Sequence, residues 1–173
     1  MSGIDFCPNL LLTLQRRPDA LAFISGSGDY PAIRGTAVFY QTDCGVLVAA
    51  ELRGLPNPKE SCAAPVFGFH IHEGGRCAGT EENPFADAKG HFNPGGCEHP
   101  HHAGDMPPLF GNRGYALSVF LTDRFTVREV IGRTVIVHAR PDDFTTQPSG
   151  NAGAMIACGE IRAMRQTNPA EVL

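Results

Sequence analysis

The stretch GFHIHEGG, Gly68–Gly75, alternates apolar and imidazole side chains and then breaks on paired glycines. In an extended strand, residues i and i+2 leave the same face, so His70 and His72 project together, roughly 6.6–6.8 Å apart along the chain. Phe69 and Ile71 then turn the opposite way, into an apolar core. A period of two over these residues predicts a half-buried strand that offers two nitrogen ligands to one cation. H-x-H is a short pattern that surface histidines also produce, and the rest of the chain decides between the two readings.

Downstream, a Gly-, Pro- and His-rich stretch runs from Gly74 to Pro108 and holds four of the seven histidines. A loop of that length inside a compact domain needs a task or a ligand to hold it. Its segment GHFNPGGCEHPHHAGD, Gly90–Asp105, supplies His91, His99, His101, His102 and Asp105, side chains that zinc and copper accept. Glycine and proline separate the candidates and an aspartate closes the set, which suits a folded chelate loop better than a surface tract. Cys97 lies inside the same loop as a competing thiolate ligand. His138 ends the run RTVIVH and faces the first pair if its strand is a neighbour.

Elsewhere the chain reads as short β runs with turn residues between them: ALAFIS, TAVFYQ, VLVAAELRGL, VFGFHIHE, YALSVFL, RTVIVHA and AMIACGEIRAM. No βαβ alternation and no internal repeat appear, so the pattern predicts an all-β antiparallel sandwich or flattened barrel. One short helical turn is expected in Asn9–Arg17. We expect an N-terminal arm over 1–18, one domain over 19–165 and a tail over 166–173. A net charge of −4 disfavours nucleic acid or an anionic membrane as partner. No apolar run approaches the roughly 18 residues of a membrane span, and the N-terminus lacks an export pattern, so a cytoplasmic location is expected. Six cysteines sit uneasily with that expectation.

GFHIHE, GHFNP, HAGDMPPL, GRTVIVHARPDD and GNAGAMIACGEI, taken in order, resemble the copper/zinc superoxide dismutases, most closely their bacterial branch, over about Ala20 to Ile161. The resemblance implies a Greek-key β-sandwich or flattened β-barrel with long metal-binding loops, superoxide as substrate, and copper and zinc as cofactors. Copper ligands would be His70, His72, His91 and His138, which also makes them the catalytic residues, and zinc ligands His91, His99, His102 and Asp105, with His91 bridging. His102 is preferred to His101 because the family places His and Asp three apart in HAGD; His101 is then solvent-exposed or an outer donor. Asp142 matches an acidic residue that accepts N–H bonds from His70 and His99, with Asp143 the fallback. Cys77 and Cys158 match the family disulfide, while Cys7, Cys44, Cys62 and Cys97 receive no role. Glu73 and Arg133 are assigned structural hydrogen bonding. The resemblance also admits a homodimer, whose surface no strand pattern discloses.

This chain departs from the family where an arginine that attracts and orients superoxide is expected three residues before the last cysteine; Met155 stands there. An unbranched, uncharged thioether lacks the donor fork of arginine. Arg140 and Arg76 are the cations left to replace it. Lower, less salt-sensitive dismutase activity is therefore expected. The alternative is a copper/zinc-binding module that buffers or senses metal. The insert PNPKESCAAP before the H-x-H strand is read as a longer loop.

Overall fold

The computed structural model describes residues 9–58 and 65–164. The first eight residues of the arm, the tail over 166–173, most of the insert, and Cys7 and Cys62 lie outside the described residues. Asn9 caps the short helix α1 (Leu10–Gln15), its side chain accepting the Leu11 N–H. Nine strands follow among the described residues: β1 (Ala20–Gly26), β2 (Arg34–Thr42), β3 (Gly45–Arg53), β4 (Val66–Phe67), β5 (Phe69–His72), β6 (Leu109–Phe110), β7 (Tyr115–Thr122), β8 (Thr134–His138) and β9 (Met155–Ala163). A four-residue helix α2 (Val127–Val130) interrupts them, nucleated by a capping box between Thr126 and Glu129. No described helix is long and apolar enough to cross a membrane.

Seven strands form one curled antiparallel sheet in the order β5-β8-β9-β1-β2-β3-β7, and β4 pairs separately with β6. β1, β2 and β3 form a meander, whereas β3 next to β7 and β9 next to β1 require crossovers of the Greek-key kind. Alternation explains which side chains face inward. Val46, Val48, Ala50 and Leu52 of β3 are all buried, and they pack with Ile24, Phe39, Phe69, Ile71, Val137 and Ile161 in one core. The expected all-β Greek-key architecture is what forms.

One end of the sheet departs from a half-buried pattern: every residue of β5 and β8 is buried. Phe69, Ile71, Val135 and Val137 enter the main core. The opposite face is covered by the loop over 74–108, whose Phe85 and Ala88 close on Ile136 and Cys158 in a second apolar cluster. Cys77, near the loop's start, is disulfide-bonded to Cys158 on β9. Arg133 ties the loop's base down by donating to the carbonyls of Glu73 and Glu129, with its guanidinium 3.8 Å from the centre of the Phe92 ring. Glu73 contributes backbone groups, that carbonyl and an N–H that donates to the Gly90 carbonyl at 2.8 Å, while its side chain is exposed.

The Cys77–Cys158 bridge spans 81 positions, which chain entropy converts to about 4 kcal/mol of stabilisation. Replacing both cysteines by serine is expected to lower the unfolding free energy of the metal-free protein by roughly that amount. Equilibrium urea unfolding measures it, and a loss below about 1 kcal/mol would mean that the second apolar cluster alone holds the loop.

Candidate metal centre

β5 lies at one end of the sheet, and the long loop pairs with its free edge. The Phe92 N–H donates to the Ile71 carbonyl at 2.8 Å, and the Ile71 N–H donates to the Gly104 carbonyl at 2.9 Å. These bonds set His91 opposite His72 and Asp105 opposite His70. Only glycine fits at 104, because a Cβ there would collide with the Ile71 carbonyl. The backbone therefore delivers the loop's ligands to the strand's ligands before any ion is considered.

Two clusters of metal-binding atoms result, His70, His72, His91 and His138 in one and His91, His99, His102 and Asp105 in the other, with the atoms of each set within 4.8 Å of one another. The ring of His91 has its centroid 4.0 Å from that of His70, 5.0 Å from His72 and 6.0 Å from His138. On its other side it stands 5.7 Å from His99 and 5.5 Å from His102. His91 belongs to both sets.

Hydrogen bonds fix which nitrogen of each ring is free. His72 Nδ1–H donates to the Lys89 carbonyl at 2.7 Å and His138 Nδ1–H to the Gly153 carbonyl at 3.0 Å. Their Nε2 atoms consequently face each other at 3.2 Å as two bare lone pairs, an arrangement that repels unless a cation or proton lies between them. His70 Nε2–H and His99 Nε2–H donate to the two oxygens of Asp142, at 2.8 and 2.9 Å. That leaves His70 Nδ1 and His99 Nδ1 buried without hydrogen-bond partners, and His91 Nε2 shares the condition. Orphaned buried acceptors are costly, and all three point out a place for a cation. Across the second cluster, Asp105 lies 2.7 Å from His91 Nδ1, 3.1 Å from His99 Nδ1 and 3.4 Å from His102 Nδ1.

Electrostatics favour the same reading. Burial pushes the His138 imidazole down to about 3, and the neighbouring His70 adds to the shift. Burial and then His138 drive His72 well below its ordinary value. Burial also lowers His70 and His102 despite their aspartate partners. These rings are neutral at neutral pH, the form that ligates a metal. Burial raises the carboxyls of Asp105 and Asp142, yet bonds from their histidines, and for Asp142 also from the Phe144 N–H, outweigh it and hold both below the usual carboxylate range. A donor set of imidazole nitrogens alone suits copper, and three imidazoles with one carboxylate suit a closed zinc site.

The remaining candidates fall elsewhere. His101 is exposed, and Cys97 is a free, exposed thiol in neither cluster, turned outward by reciprocal bonds between its backbone and the Asn93 side chain. Cys44 is disulfide-bonded. Asp143 caps its own turn, accepting from Thr145 and Thr146. Met155, opposite His138 on β9, lines an open cavity of about 650 Å3 beside His72, His91 and His138. Neither Arg140, whose guanidinium bonds Asn151, nor Arg76 lines that cavity; Lys89 and Glu82 do. Sequence reasoning missed both, and also missed Arg124, whose guanidinium donates to the carbonyls of Pro100 at 2.9 Å and Asp105 at 3.3 Å. Gln147 was missed too; it grips the N–H and carbonyl of His99.

A family profile described as copper/zinc superoxide dismutase (SODC) matches residues 33–161. Superoxide dismutase (Cu-Zn) 2 of Aquifex aeolicus is 39% identical over 94% of this chain and 98% of its own length. The superoxide dismutase (Cu-Zn) of Deinococcus radiodurans is 35% identical over 76% of this chain and 79% of its own. Among solved structures, the Cu/Zn superoxide dismutase from Brucella abortus superposes with a TM-score of 0.68 at 25% identity, over 82% of this chain and 98% of that one. With the profile and a relative of nearly equal extent agreeing on what the two clusters imply, the chain belongs to the copper/zinc superoxide dismutase family.

Proposed function

We propose that the chain converts superoxide to oxygen and hydrogen peroxide with copper held by His70, His72, His91 and His138 and zinc held by His91, His99, His102 and Asp105. The observation that carries this reading is His91, common to both clusters, with Nδ1 engaged by Asp105 and Nε2 buried and unpartnered. When bound, copper supplies a one-electron couple and zinc a fixed positive charge. Two superoxide anions and two protons yield one oxygen and one hydrogen peroxide, so the protein's own tasks are to admit anions and to deliver protons. His91 Nε2 would hold a proton whenever it does not ligate copper, because the contact of Nδ1 with Asp105 keeps the ring in place. Asp142 holds the tautomers of His70 and His99 so that both Nδ1 atoms stay available. His72 and His138 are held likewise by the carbonyls of Lys89 and Gly153.

Met155 favours the second reading, a metal-buffering or sensing module, and under the first it lowers efficiency by removing a cation from the cavity. The disulfide engagement of Cys44, Cys77 and Cys158 weighs towards an oxidising compartment and against the cytoplasmic expectation. A homodimer stays within the proposal, with sedimentation as its measure.

Metal analysis of protein grown with both metals, paired with a superoxide-consumption assay, separates the readings. One copper, one zinc and dismutation are expected, and His138→Ala should lose copper, keep zinc and lose roughly a hundredfold or more of the activity. Zinc loading with no dismutation in the parent protein would leave the buffering module. Met155→Arg is expected to raise kcat/KM about tenfold at low ionic strength and much less at high; an unchanged value would show that capture is already supplied elsewhere. Arg124→Ala should weaken zinc retention against a chelator roughly tenfold while copper content holds, since the guanidinium grips the zinc loop from outside.

A further inference from the structure

In the second cluster, His91 and Asp105 are set by their bridges to β5. His102 is tied to Asp105 in both directions, its N–H donating to the carboxylate at 3.0 Å and its carbonyl accepting the Asp105 N–H at 3.2 Å. His99 has no such anchor. It is buried, yet its N–H and carbonyl meet no backbone group among the described residues. Both go to one side chain: the His99 N–H donates to Gln147 Oε1 at 3.0 Å, and Gln147 Nε2 donates to the His99 carbonyl at 2.7 Å. Asp142, on the same loop between β8 and β9, takes the ring's Nε2–H at 2.9 Å. That loop therefore occupies the main chain and one ring nitrogen of His99, and leaves Nδ1 buried without a hydrogen-bond partner. An amide suits the task because it offers one acceptor and one donor side by side, the complement of a residue's own N–H and carbonyl. A carboxylate would set an oxygen against the His99 carbonyl, and an aliphatic chain would leave two buried polar groups unpaired.

We propose that Gln147 is a positioning residue for the zinc cluster: by holding the main chain of His99 while Asp142 holds its ring, it presents Nδ1 and gives the cluster four donors instead of three. The inference rests on the zinc reading of that cluster and not on dismutation. Gln147 touches neither the cavity nor the copper set, so its effect on metal retention is confined to one of the two sites.

The test uses protein loaded with copper and zinc, and the same protein with cobalt(II) in place of zinc, whose visible bands report the number and geometry of its donors. Gln147→Met keeps the length of the side chain and loses both bonds, whereas Gln147→Asn keeps the amide and stops a methylene short. Both should weaken zinc against a competing chelator roughly ten- to hundredfold and shift the cobalt(II) bands, with copper retention within about threefold of the parent. A general loosening of the loop would behave differently, because the Gly153 carbonyl that holds His138 lies on it too, and copper would leave with zinc. Unchanged zinc retention in Gln147→Met, or equal losses of both metals, overturns the proposal. A parent that takes up copper but neither zinc nor cobalt(II) overturns the zinc reading of the cluster and the proposal with it.

Discussion

The pairing of a loop with the free edge of β5 is the constraint on which the rest of the molecule depends. An end strand presents unpaired N–H and carbonyl groups that must be satisfied or exposed. Here the loop satisfies them through Phe92 and Gly104, and in doing so fixes His91 against His72 and Asp105 against His70. Side-chain direction alternates along an extended chain, so a slip of one residue would turn His91 away from the strand and dissolve both clusters together. The metal centre is thus a consequence of backbone register first and of imidazole chemistry second.

Covering that edge also commits the protein to burying six imidazoles and two carboxylates within a few ångströms. Three ring nitrogens are left without hydrogen-bond partners, each a cost of about 1–3 kcal/mol in the metal-free chain. The disulfide and the second apolar cluster hold the loop closed against that cost from one side. Asp142 does so from the other, joining β5 and the loop through His70 and His99. Its setting tolerates no substitution at Gly150, where φ is +64° and a Cβ would displace both the Asp142 carboxylate and the His99 ring. Cations then convert a collection of opposed lone pairs into a set of bonds.

Much of this was legible in the sequence because it is periodic or clustered. Alternation marked the strands, and the H-x-H pair with the His-rich loop marked the ligands. What escaped has no period. The capping box of α2 was readable as T-x-x-E at Thr126–Glu129, but a helix of four residues leaves no apolar repeat to draw attention to it. The adjacent Asp142 and Asp143 differ only in which way a turn faces, one towards two histidines and one towards two threonines. Cys97 looked like a ligand from its neighbours, yet its backbone bonds with Asn93 turn it outward. Lys89 carries no signal of its own, because only the fold brings its carbonyl to the His72 ring.

Met155 supplies an apolar contact at the position where the sequence led us to expect a cation. It pairs across from His138 and packs against the cluster of Phe85, Ala88, Ile136 and Cys158, so its side chain extends the apolar support beneath the loop. An arginine there would combine two tasks, attracting an anion and holding it in a fixed orientation through paired donors. Met155 offers neither, and the cavity it lines is bounded by the buried rings of His72, His91, His102 and His138, so the geometry at that end of the sheet follows the histidines and the backbone register that sets them.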